Sequence, residues 1–251
     1  MHRISVGSYN IHSCIGLDRR RSPARIAGVL AELDCDIYAL QEVHNDAGRD
    51  GARQLDYLAD RLEMTAVPGL RIVRHRAEYG NAILTRFPVI EVERHDLSLP
   101  RLEPRGALDV ELDAGDCRLR VIATHLGLSR KERREQWRLL LEAVSRAPPE
   151  LPVVLVGDMN EWYPRSVMLR DANSILGEAL APAEFPSFAP FLSLTRIWVR
   201  PASAIVSIEV HRGGAARIAS DHLPMKAVVD VRELQRGFDG REPAAAAAPD
   251  E

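Results

Sequence analysis

Apolar positions fall mostly into short runs, some alternating with polar residues and some unbroken, and many are β-branched. The segments Ile4 to Ile11, Asp36 to Val43, Asn81 to Leu84, Val89 to Val92, Ala107 to Leu112, Leu119 to Thr124, Val153 to Gly157, Ile205 to Val210 and Ala227 to Val231 read as strands. Helical periodicity with a recognisable start occurs between them. Ser22 caps and Pro23 takes the first turn of a helix ending at Leu33, and a second helix covers about Arg53 to Leu62. A third runs from Ser129 to Ser145 and opens on a capping box, because Glu132 follows Ser129 by three positions. Hairpin-like spacing around Phe87-Pro88 and Gly115-Asp116 completes the pattern. Many strands and few helices predict two sheets packed face to face with helices outside, a layered α/β sandwich.

No repeat and no Gly-, Ser- or Pro-rich linker divides the first 231 residues, so one domain is expected over residues 1–235. From Arg236 the composition shifts to Gly, charge, Pro and an alanine run, and residues 236–251 are expected to form a disordered, non-catalytic tail. The chain of 251 residues is 46% hydrophobic and 27% charged, the balance of a soluble globular protein. No apolar run approaches the ~20 residues of a spanning helix, so no obligate membrane insertion is expected. The start reads directly into a strand-like pattern without the features of a signal peptide, so a cytoplasmic location is expected. Cys14, Cys35 and Cys117 are too few and too scattered for a disulfide framework. A net charge of −3 argues against affinity built on counterion release from duplex DNA, while leaving small phosphorylated substrates open. Nothing in the sequence points to a partner protein.

Several strands end in polar residues that do not suit packing. In Ser8-Tyr9-Asn10-Ile11-His12, alternation puts Ser8, Asn10 and His12 on one face. Glu42 closes the apolar run Ile37 to Leu40, where a carboxylate is costly unless it is paired or binds a cation. Gly157-Asp158-Met159-Asn160 ends another run, with carboxylate and amide two residues apart and able to face one spot. His125 and the pair Asp221-His222 follow further strand-like segments. Taken singly, each has an ordinary reading: a turn asparagine, a structural histidine, a capping aspartate. Together they form a set that packing does not explain.

The motifs SYNIH, ALQEV, YGNAILTRFP, PRGAL, ATHLGL, VLVGDMNEW and IASDHLP, in this order and spacing, resemble the endonuclease/exonuclease/phosphatase superfamily over about Ile4 to Val231. The resemblance implies a deoxyribonuclease-I-like fold, a four-layered αββα sandwich of two mixed sheets. It also implies Mg²⁺, with Mn²⁺ as substitute, held by Glu42, Asn10 and Asp221. Asp158 and Asn160 then match the pair that orients the attacking water and contacts the phosphate, His125 a group stabilising phosphoryl oxygens, and His222 a contact to the scissile phosphate. Arg105, with Asn81 and His12 as pocket-lining candidates, matches a phosphate-binding position. The superfamily includes abasic-site endonucleases, sphingomyelinases, inositol-polyphosphate phosphatases and RNA deadenylases, so the substrate stays open among phosphorylated small molecules, lipid headgroups and nucleic acid.

One position departs from the pattern. Where the superfamily carries an aspartate that holds the terminal histidine, this chain has Thr195. A hydroxyl supplies a hydrogen bond but no charge, so His222 is expected to be protonated less often. Three explanations stand side by side: relaxed activity, a substitute carboxylate such as Glu209 or Glu184, or an introduced inactivating change. The expected function is divalent-metal-dependent phosphodiester hydrolysis, which restoring the carboxylate through Thr195→Asp should raise. The alternatives are a nuclease or DNA-repair endonuclease, and a catalytically weakened member that binds a phosphorylated ligand. The run Phe185 to Phe191 either lines the mouth with apolar surface or packs as a loop on the sandwich edge.

Overall fold

Side-chain alternation decides what each strand places between the sheets and what it gives to the helices. In a computed structural model describing residues 3–45, 53–69, 72–74, 77–146, 148 and 151–239, one sheet contains β1 (Arg3–Asn10), β2 (Ile37–Asn45), β3 (Thr65–Pro68), β4 (Ile72–Arg74), β5 (Ala77–Thr85), β11 (Ile205–Val210) and β12 (Met225–Asp230). Their order is β11-β12-β1-β2-β5-β3, with β4 also on β5. The other sheet is β10 (Thr195–Arg200), β9 (Val153–Asp158), β8 (Arg118–His125), β7 (Gly106–Asp113) and β6 (Val89–Asp96), in that order. Both sheets are mixed: β1 runs parallel to β2 and β8 parallel to β9, whereas the other pairs are antiparallel.

Ile4 and Val6 of β1 and Ile37 and Ala39 of β2 meet Val121 and Ala123 of β8 and Val154 and Val156 of β9 in the central core. The opposite faces take the helices. Tyr9, Tyr38 and Leu40 pack on α1 (Pro23–Leu33) and α2 (Gln54–Leu62) through Ile26, Leu30 and Leu58. Ile122, Leu155 and Trp198 pack on α3 (Arg130–Ser145) and α4 (Val167–Leu176) through Trp137, Leu140 and Ala172. The arrangement is the expected sandwich, with each sheet covered on its outer face. Two short elements finish it: α5 (Ala216–Ala219) precedes the Asp221-His222 pair, and α6 (Val231–Asp239) follows β12.

Three local readings change and one holds. Phe87-Pro88 is no hairpin, because β5 and β6 belong to different sheets and the chain crosses between layers there. Gly115-Asp116 does turn between paired strands, β7 and β8. Ser129 Oγ accepts the Glu132 N–H at 3.1 Å, but the Glu132 carboxylate bonds Gln136 Nε2 at 3.1 Å, so only half of the expected capping box forms. Finally, α6 runs past residue 235, making 236–239 helical where the tail was expected to begin; residues 240–251 lie outside the described set. Helix α4 and strands β3, β4 and β10 had not been read from the sequence. No helix among the described residues is long and apolar enough to cross a membrane. All three cysteines are free, with Cys14 and Cys35 buried.

Candidate active site

The two parallel pairs end side by side, and their inward-facing positions run out of apolar residues there. Asn10 continues the face of Ile4 and Val6, His125 that of Val121 and Ala123, and Asp158 that of Val154 and Val156. Glu42 should break this rule. Counting from Leu40, it belongs on the helix side. A bulge between Leu40 and Val43 shifts the register, Glu42 takes φ +56°, and Val43 instead of Glu42 joins Leu40 in the helix-side core. The irregularity redirects the carboxylate so that Glu42 Oε1 accepts Asn10 Nδ2–H at 2.9 Å. Gly157, at φ +146°, is required for a second reason: a side chain there would run into the Thr124 carbonyl of the neighbouring strand.

Asp158 is the hub. It is 1% exposed; Oδ2 accepts Asn10 Nδ2–H at 3.1 Å and Oδ1 accepts the Asn160 N–H at 2.9 Å. Two buried imidazoles face it, His125 Nε2 at 3.7 Å and His222 Nε2 at 3.6 Å from Oδ2. Burial would raise its carboxyl, but the charges of His222 and His125 and the hydrogen bonds from Asn160 and Asn10 outweigh that and hold it below the usual range.

The two histidines are tuned apart. Burial first, and then Arg105, push His125 down to about 3, against the pull of Asp158. Arg105 Nη1 lies 3.0 Å from His125 Nδ1, and the other ring nitrogen, Nε2, also faces a donor. The Asn160 amide nitrogen lies 3.0 Å from that Nε2 and donates to Leu126 O at 2.8 Å. For His222, burial works downward but is overcome by the hydrogen bond to Glu184 and the charges of Asp158, Glu184 and Asp221, which hold it up to about 9.

That partner answers the Thr195 question. Glu184 is fully buried; Oε2 accepts His222 Nδ1–H at 3.0 Å, while Oε1 accepts the N–H groups of Leu194 at 2.8 Å and Thr195 at 2.9 Å. The carboxylate therefore comes from the segment before β10 and reaches His222 across the Thr195 backbone. Glu209, the other candidate, is exposed on β11 opposite Lys226. The expectation of an uncharged partner for His222 is corrected, and with it the reason to expect a gain from Thr195→Asp. Phe185 packs its ring 4.7 Å from that of His222, so the segment is partly a packed loop, while Phe188 and Phe191 stay exposed.

The remaining candidates divide. Arg105, 9% exposed, lines a cavity of about 160 Å³ together with Glu42, Asn81, Asp96, Ser98 and His125. Among the described residues its Nε has no hydrogen-bond partner, although it is buried. Asn81 Nδ2 donates to Gly106 O at 2.9 Å, so it ties β5 of one sheet to β7 of the other as well as walling the cavity. His12 lies at the mouth, its Nδ1 3.7 Å from Asp221 Oδ1 and 3.2 Å from Ile15 O. Tyr79, absent from the sequence-derived set, lines the same cavity as Glu42.

Glu42 and Asp221 flank Asn10: Ser220 Oγ donates to Asn10 O at 2.7 Å and contacts Asp221 Oδ1 at 3.3 Å. Among the described residues neither carboxylate is paired with Arg or Lys, and their hard oxygens fit Mg²⁺ or Mn²⁺. Asn10 is arranged differently from expectation, since its amide nitrogen serves Glu42 and Asp158 and its oxygen accepts the His12 N–H at 3.1 Å. It links the carboxylates. Among the described residues the group of three with metal-like spacing, Glu93, His95 and Asp109, lies elsewhere, on the outward face of the second sheet. There Arg120 grips Asp109 through Nε at 2.7 Å and Nη2 at 2.5 Å, supplying the cation itself.

Residues 7–222 match the Endonuclease/Exonuclease/phosphatase family, and the chain belongs to it. Among curated relatives, the uncharacterized protein YbhP of Escherichia coli is 29% identical over 238 residues, covering 88% of this chain and 93% of YbhP. A Bacteroides vulgatus endonuclease/exonuclease/phosphatase superposes with a TM-score of 0.75 at 18% identity, over 92% of this chain and 99% of that one. D. rerio TDP2 complexed with a single-strand DNA product scores 0.68 at 18% identity, over 92% and 100%. A Bacteroides thetaiotaomicron mannosyl-6-phosphatase scores 0.67 at 20%, over 90% and 100%. These structures share the fold.

Proposed function

We propose that this protein is a divalent-metal-dependent phosphoesterase that hydrolyses phosphodiesters by in-line attack of water. The observation that carries the reading is a buried Asp158 carboxylate set between a neutral and a protonated imidazole, beside Glu42. Such a group accepts a proton from water and orients the oxygen toward phosphorus. The His222 imidazolium donates to a phosphoryl oxygen, and Glu184 holds it in the orientation and charge state for that task. The His125 imidazole and the Asn160 amide lie close enough to act on one further oxygen. Arg105 adds a fixed positive charge at the cavity wall. A Mg²⁺ or Mn²⁺ ion held by Glu42 and Asp221 would neutralise charge building on the phosphoryl group.

Family relatives whose names specify a phosphatase and a DNA complex support phosphoryl chemistry and leave the alcohol open. The alternative of a binding-only member rested on Thr195, and Glu184 at His222 takes away that motive. The test compares an aryl phosphodiester and an aryl phosphomonoester with Mg²⁺, Mn²⁺ or EDTA. Metal-dependent release of the aryl alcohol, faster from the diester and lost in Asp158→Ala, is expected. Equal rates with and without chelator, or with Asp158→Ala, would overturn the proposal.

A further inference from the structure

Seven of the thirteen large apolar side chains left exposed among the described residues lie at one end of the sandwich, while others, such as Ile90 on β6, Ile175 on α4 and Val206 on β11, lie apart from them. Leu17 follows β1, Leu128 follows β8, and Trp162 and Tyr163 follow β9. Phe188 and Phe191 lie on the segment leading to β10, and Ile218 precedes the Asp221-His222 pair. They are well exposed, Phe191 at 72%, Leu128 at 69% and Phe188 at 63%.

Contacts join them into an arc along the rim of the site. Leu17 N–H donates to Ile218 O at 3.0 Å. Arg217, the neighbour of Ile218, donates through Nη1 to Phe188 O at 3.4 Å. Phe191 and Trp162 line one groove of about 290 Å³, and the Arg130 guanidinium lies 5.5 Å over the Tyr163 ring. Cations accompany the apolar groups: Arg19 and Arg20 beside Leu17, Arg130, Lys131 and Arg134 beside Leu128, and Arg217 are all exposed. Of the nearby acids, Asp18 is engaged by Arg25 at 2.8 Å and Glu135 by Arg138 at 3.6 Å, while Glu178 lines the groove of Trp162 and Phe191.

Apolar side chains interleaved with cations around the mouth of a site mark a docking surface, because water alone gives no reason to keep them there. Tryptophan and tyrosine suit the headgroup level of a bilayer, aliphatic side chains enter the acyl boundary, and arginine attracts anionic headgroups. Single-stranded nucleic acid would use the aromatics and arginines but not Leu17, Leu128 and Ile218, which cannot stack on bases. We propose that this arc docks the protein on an anionic lipid surface and turns the site toward the headgroups. That the docked site cleaves a lipid-borne phosphoester rests on the phosphoesterase reading above; the docking does not.

Trp162 is a built-in reporter, since Trp137 and Trp198, the other tryptophans, are 3% and 1% exposed. The full chain would be mixed with vesicles of phosphatidylcholine alone, vesicles of phosphatidylcholine with phosphatidylglycerol, and a single-stranded oligonucleotide. The expected result is co-sedimentation with the anionic vesicles, a blue shift of tryptophan emission, and weakening with salt. Phe188→Ser combined with Phe191→Ser should weaken binding at least about tenfold, and Arg130→Ala about fivefold. Ile90→Ser, at the opposite end of β6, should bind as the unmodified chain does, and melting curves verify that each variant is folded. No binding to anionic vesicles, or an emission change with the oligonucleotide alone, would overturn the docking. Aryl phosphodiester turnover on the same preparation separates the two ideas: hydrolysis without vesicle binding removes only the docking, and vesicle binding without hydrolysis removes only the phosphoesterase reading.

Discussion

His125 and His222 stand on two sides of Asp158 at nearly the same distance, both buried, yet one is held neutral and the other charged. Burial pushes both down, so it does not separate them. The partner on the far ring nitrogen does: a guanidinium on His125, a carboxylate on His222. One fold thus provides a neutral imidazole and a cationic one within reach of the same carboxylate, because two different loops deliver opposite charges behind them.

The comparison depends on its shared centre. Asp158→Asn removes the charge that both rings face and should lower kcat on an aryl phosphodiester by on the order of 10⁴, as loss of charge does in other catalytic carboxylate–histidine systems. A variant that kept a tenth of the activity would remove Asp158 from the chemistry. Next comes Glu184→Gln, which keeps the size of the side chain and deletes the charge. It should cost about 10² to 10³ in kcat with a smaller change in KM. Position 195 pairs in register with Asp158, so Thr195→Asp should recover part of that loss in the Glu184→Gln background. In the unmodified background the same change sets a second carboxylate against Glu184 and should lower the rate. An increase there would show that Glu184 does not serve His222.

Stability should report the same opposition. His222 binds its proton more tightly folded than unfolded, so its contribution is complete below its ordinary value of 6.5 and is lost as pH rises through about 9. The whole effect is on the order of 3 kcal/mol. Thermal melts of the unmodified chain and Glu184→Gln should therefore differ most just below pH 6.5 and converge above about 9. His125 runs the other way: the unfolded chain takes up its proton at 6.5 and the folded one only near 3, so its contribution fades as pH falls across that interval. The smallest effect is expected for Arg105→Gln, about tenfold in kcat/KM, from loss of one charge-assisted contact; an unchanged value would confine Arg105 to packing.

Much of this architecture is local and could be read from the chain. Alternation in Ile4 to Asn10 and in Val153 to Asp158 sets which side chains face inward, and the end of the apolar run marks where the site begins. The cap at Ser22 and the turn at Gly115 are equally local, each using residues a few positions apart. The polar set Asn10, Glu42, His125, Asp158, Asn160, Asp221 and His222 was legible because no packing role suits those residue types at strand ends.

Tertiary structure decided what depends on contacts across distance. Phe87-Pro88 looks like a hairpin locally and becomes a crossing between sheets only because β5 and β6 find different partners. Glu42 faces inward through a bulge that alternation does not foresee. Glu184, 38 residues from His222, was one of two acids that could have replaced the missing aspartate. Sequence spacing treats both alike; only the folded chain buries one on the imidazole and leaves the other in water, because desolvation makes an unpaired buried carboxylate costly and a paired one selective.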